Sequence, residues 1–144
     1  MIQGNLAKRY ARALLELADS PMKRDRFEKD LNALAETSEV LDETGTPLAL
    51  TLDAGRYPLS QRRALGAAIC KRLMTDATVT KFLDLVVERG RASGLRQIAA
   101  QYAELADAQA GRVRATVTSA TPLAPGATAQ VKTALESATG KKVL

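Results

Sequence analysis

Residues 79–105, VTKFLDLVVERGRASGLRQIAAQYAEL, decide the fold class. Large apolar residues recur at spacings of three and four on both sides of Gly90: Val79, Phe82, Leu83, Val86 and Val87 before it, then Leu95, Ile98, Tyr102 and Leu105 after it. That is the period of a helix with a buried face, not of a strand. Gly90 stands where a helix C-terminus wants a residue free to adopt positive φ. The spacing predicts one helix over about Val79–Arg89 and another over about Ser93–Ala110.

The same period continues toward the N-terminus. A first helix is expected from Asn5, as N-cap, to Asp19, stopped by Ser20-Pro21. A second is expected over about Asp25–Glu43, with Phe27, Leu31, Leu34 and Leu41 on one stripe. Gly45-Thr46-Pro47 breaks it, Leu48–Leu52 makes a short helical piece, and Asp53-Ala54-Gly55 with Pro58 breaks the chain again. Ser60 is the expected N-cap of a fourth helix running to Met74. Beyond Gly111 the period changes to two: Val113, Ala115 and Val117 alternate with Arg114, Thr116 and Thr118, as in a half-buried strand. A last helix is expected over about Pro125–Ala138, and Lys141–Leu144 reads as a second strand. The expected fold is therefore mainly α: a six-helix N-terminal bundle (1–110) followed by a small strand–helix–strand α/β domain (111–144) that looks C-terminally shortened.

Composition excludes much chemistry. The chain of 144 residues has no His and one cysteine, Cys70, so His relays, His-ligated metals, internal disulfides and multi-Cys sites are out. No G-x-G-x-x-G, Walker A or G-x-S-x-G motif occurs. The acidic residues fall on polar helix faces, Glu36, Glu39, Asp42 and Glu43 among them, so no catalytic residue, metal or cofactor is expected. Net charge is +5, but the excess is spread along the chain, and five aromatics cannot form a base-stacking platform, so nucleic-acid binding is not expected. No apolar run suits a signal peptide or a membrane span.

Two helices stand apart on a helical wheel. In the first, Leu6, Tyr10, Ala13, Leu14 and Leu17 form a stripe that Ala7, Ala11, Leu15 and Ala18 extend to roughly 200° of the circumference. In the fifth, Val79, Phe82, Leu83, Leu85, Val86 and Val87 also cover roughly 200°. One core needs only about half of that. Either both helices are central and covered on two sides, or their surplus faces lie together and form a groove for an apolar helix from a partner.

Three blocks carry a resemblance. RYARALLELA (9–18) is similar to the pattern RYAxALFxLA. FLDLVVERGRASGLRQIAAQYAEL (82–105) is similar to FLxLLxExGRLxxLxxIxxxFxxL. GRVRATVTSATPLAP (111–125), then a helix and TGKKVL (139–144), is similar to a segment AxVxSAxPLSxxE…L…GKxVxL. In this order they resemble the ATP synthase delta subunit family, equivalent to the mitochondrial oligomycin-sensitivity-conferring protein. The resemblance implies a six-helix domain, a smaller α/β domain and a non-catalytic role in the peripheral stalk (stator) of the rotary synthase. It implies that the first and fifth helices bind the N-terminal helix of an alpha subunit, through Tyr10, Ala13, Leu14 and Leu17 and through Lys81, Leu85 and Val86, with Gly90-Arg91 closing the motif. It implies that the C-terminal domain contacts the b subunits, and that the chain sits at the cytoplasmic side of a bacterial inner membrane, held there only through the complex. Ala92-Ser93 departs from the family's Leu, and Ala124-Pro125 replaces its usual Ser or Thr cap, with Pro125 expected at the first helical position instead. The rival reading is a free-standing helical adaptor or regulator unrelated to the synthase.

Overall fold

The structure is a computed structural model that describes residues 4–144. It is mainly helical: α1 (Gly4–Glu16), α2 (Pro21–Ser38), α3 (Leu48–Asp53), α4 (Leu59–Leu73), α5 (Ala77–Glu88), a 3-10 turn (Ala92–Gly94), α6 (Leu95–Ala110), β1 (Arg112–Val113), α7 (Ala127–Thr139) and β2 (Lys142–Val143). The chain divides into two compact units, one running to Ala103 and the other Glu104–Leu144.

In the first unit, Phe27, Leu31 and Leu34 of α2, Leu52 of α3, Val79, Leu83, Val86 and Val87 of α5, and Leu95, Ile98 and Tyr102 of α6 are almost wholly buried. Burying side chains of this size contributes roughly 1.5–3 kcal/mol each. α4 lies against α5 at Gly66, where a Cβ would sit 3.7 Å from both Leu83 Cδ2 and Val87 Cγ2. α1 adds Ala7, Ala11 and Leu14 to this core.

Helix boundaries differ from the expected ones where distant or side-chain hydrogen bonds decide them. Helix α1 already includes Asn5, which is therefore not its cap. Helix α2 starts at Pro21, not Asp25: the Ser20 hydroxyl accepts from the Lys23 N–H, and Pro21 takes the first helical position. It ends at Ser38, because the Asp42 carboxylate accepts from the Thr44 and Thr46 N–H groups and folds 42–46 into a tight turn with Gly45 at φ +77°. Leu41, expected on the buried stripe, is consequently exposed. Ser60 lies inside α4, whose cap position is Pro58. Helix α5 starts at Ala77, with Asp76 as N-cap accepting from the Thr78 N–H at 2.8 Å. It closes in a Schellman turn: Gly90, at φ +61°, donates to the Val87 carbonyl and Arg91 to the Val86 carbonyl.

Two buried or half-buried carboxylates tie elements together. Asp30 of α2 accepts from the Arg26 guanidinium at 3.2 Å and from the Asp76 N–H at 2.7 Å, linking α2 to the head of α5. Asp53 of α3 accepts from the Ala92 and Ser93 N–H groups at 2.6 and 2.8 Å and so caps the 3-10 turn that leads into α6.

In the second unit, β1 and β2 pair in parallel, Arg112 opposite Lys142 and Val113 opposite Val143. The expected strand through Val117 ends at Val113. A ladder with a single neighbouring strand offers Ala115 and Val117 no covered face, and both are exposed. Helix α7 begins after Gly126, at φ +82°, so Pro125 precedes the helix and does not hold its first position. It ends at Gly140, at φ +66°, and the Glu136 side chain accepts from the Val143 N–H at 3.1 Å.

Candidate functional site

On α1 the roughly 200° apolar arc resolves into two faces. Ala7, Ala11 and Leu14 point inward and are buried. Leu6, Tyr10 and Ala13 point about a quarter-turn away and, with Leu17 in the turn that follows the helix, line an open groove. On α5, Val79, Leu83, Val86 and Val87 belong to the core, while Thr78, Lys81 and Leu85, at spacings of three and four, line the groove's other wall. The groove holds about 750 Å³. Leu17 is 59% exposed and Leu85 43% exposed, so the chain's own neighbours do not cover this surface.

Between the walls, the Tyr10 and Phe82 rings meet edge to face, centroids 6.1 Å apart and planes at 78°. Such aromatic pairs are worth about 0.5–1.5 kcal/mol beyond the area they bury. They give the groove a rigid apolar floor, to which Leu14 also contributes.

Of the residues expected to form the site, Tyr10, Ala13 and Leu14 of α1, Leu17 in the turn just past its end, and Lys81 and Leu85 of α5 come together on one groove. Val86 does not line it. One residue beyond Leu85, it is rotated by about 100° onto the core side beside Val79 and is wholly buried. Gly90 and Arg91 form the Schellman turn that ends α5 and lie outside the lining. Arg9, Arg12 and Glu16, which lie outside the apolar arc of the wheel, border the groove as well, as does Thr78. Thr78 was detectable in principle, three residues before Lys81 and seven before Leu85 on one helix face.

The groove thus has apolar walls, an aromatic floor and a few charges at its edge. Among the described residues, no group of three or more acidic or cysteine side chains could hold a metal ion, and no helix is long and apolar enough to cross a membrane. Cys70 is buried inside α4.

The model of the family described as ATP synthase delta (OSCP) subunit matches residues 6–144. The chain is 36% identical over 143 residues to the ATP synthase subunit delta of Geobacter metallireducens, an alignment covering 99% of this chain and 77% of the relative. It is 34% identical over 148 residues to the subunit of the same name from Myxococcus xanthus, covering 100% and 78%. The counterpart from Anaeromyxobacter sp. is 35% identical over 145 residues, covering 100% and 78%.

Proposed function

The chain belongs to the ATP synthase delta (OSCP) subunit family, and from that premise we propose that its α1/α5 groove receives the N-terminal helix of an alpha subunit at the catalytic head. In this reading the chain is a connector of the peripheral stalk. It performs no chemistry and resists the torque that the rotor exerts on the head. The observation that carries the reading is the apolar surface left open between α1 and α5, with Leu17 and Leu85 largely exposed above the Tyr10–Phe82 floor. Covering such leucines contributes roughly 1.5–3 kcal/mol each before the costs of association. A stator contact must hold under load, and apolar packing is insensitive to the salt that screens exposed ion pairs.

The unit Glu104–Leu144 is the part we assign to the b subunits of the stalk. The support is the family membership together with α7, none of whose residues is buried within this chain. Attachment at the cytoplasmic face of a bacterial inner membrane then follows through the assembled synthase.

The test is titration of the full chain with a peptide of about twenty residues, long enough for a helix to span the groove, from an alpha-subunit N-terminus. Saturable amide shifts concentrated on α1 and α5 are expected. Shifts scattered over the surface, or none at all, would refute the proposal.

A further inference from the structure

The edges of the groove are charged unevenly. Arg9 and Arg12 stand on the outer side of α1's apolar stripe, with Glu16 one turn beyond Arg12, and Lys81 stands on the outer side of Leu85 on α5. All four are exposed. Some other exposed cations of this unit are ion-paired, Lys23 with Asp19, Arg26 with Asp30, Arg63 with Asp84 and Glu88, Arg96 with Glu39, and others, Lys29, Lys71 and Arg72 among them, are not; what sets Arg9, Arg12 and Lys81 apart is that they border the groove. Among the described residues, Arg9, Arg12 and Lys81 have no such partner. Three cations therefore flank an open apolar strip on both sides.

We propose that the groove selects an acidic amphipathic helix: one with carboxylates on both flanks of its apolar stripe, two a helical turn apart facing Arg9 and Arg12, and one facing Lys81. This rests on the reading that the groove holds a helix, and adds which helix it prefers. The apolar strip supplies the hold, and the cations supply the choice and the rate. Complementary charge speeds encounter, while like charge brought against Lys81 or Arg12 is penalised once the helix seats. A cation on the occupant opposite Glu16, beyond the two carboxylates, sets which way the helix lies along α1.

Two synthetic helices test this on the full chain. They share one leucine stripe and differ only in carrying Glu or Lys at the flanking positions. The Glu-flanked helix is expected to bind about tenfold more tightly at ~20 mM salt, the gap closing to about twofold at ~500 mM, because exposed pairs are screened. The double variant Arg12→Glu/Lys81→Glu should reverse the preference, with chemical shifts on Tyr10 and Leu85 reporting the same seat. Equal affinity of the two helices at low salt overturns charge selection while leaving the groove a helix site. Failure of both helices to bind overturns the groove reading and this inference together.

Discussion

The Tyr10 ring of α1 and the Phe82 ring of α5 meet edge to face, the planes inclined at 78° and the centroids 6.1 Å apart. The pair joins two helices that are far apart in sequence and makes one surface from them. Phe82 sits at the boundary between the core arc of α5 and its groove arc, so it belongs to both. Core packing thus positions the groove floor, and the groove needs no occupant to be formed.

The groove is open enough to be altered without disturbing the fold. Ala13 is exposed between Leu6, Tyr10 and Leu17. Ala13→Asp should leave the thermal midpoint nearly unchanged. It should weaken binding of an alpha-subunit N-terminal peptide by about thirtyfold or more, because a seated helix would strand the carboxylate in an apolar setting. Calorimetry on the folded variant checks this, and unchanged affinity would count against the groove as the seat.

Asp53 holds the start of α6. Its carboxylate accepts from the Ala92 and Ser93 N–H groups, and Ala92 is wholly buried. Asp53→Ala should cost about 2–3 kcal/mol, since two donors lose their acceptor. Asp53→Asn keeps one acceptor oxygen and should cost about half as much. Urea denaturation of both variants measures the difference.

Gly66 is a position where the native residue is not the most stable one. It lies inside α4, and an added Cβ meets Leu83 and Val87 at 3.7 Å, ordinary van der Waals contact. Gly66→Ala should stabilise the first unit by roughly 0.5–1 kcal/mol through helix propensity and reduced unfolded-state freedom. A lower midpoint in the alanine variant would mean that α4 and α5 are closer than described.

Alkaline pH should act through Tyr102. Its buried phenol donates to the Arg24 carbonyl at 3.2 Å. Burial first, and then the nearby Glu28 carboxylate, hold its pKa well above the ordinary 10. A group raised in the folded state contributes stability that is fully present below its unfolded pKa and declines as pH rises beyond it. Denaturation midpoints should therefore fall from about pH 10 upward, and the fall should be shallower in Tyr102→Phe. Equal slopes in the two proteins would show that other groups control the alkaline limb.

At the acid end, the Arg96 guanidinium bonds Glu39 and lowers the carboxyl pKa. A depressed carboxyl contributes stability above its unfolded value of about 4.5, lost as pH falls through the folded one. The pair is exposed, so Glu39→Gln should change stability little at neutral pH. Acid titration of the variant against the parent resolves that small difference.

Local sequence determined which segments are helical, because the three-and-four spacing of Leu, Val, Ile and Phe is a property of neighbouring residues. It also marked the stop at Gly90 and showed that α1 and α5 carry more apolar surface than one core uses. Tertiary structure alone decided how each surplus was divided. Val86 and Leu85 are adjacent in sequence and equally apolar, yet one is wholly buried and the other 43% exposed. That difference depends on what lies opposite each, which a wheel does not contain. The same holds for Asp53 and Asp30, whose backbone partners are 39 and 46 residues away, and for Arg9 and Arg12, which become the edge of a groove only when α5 is set beside α1.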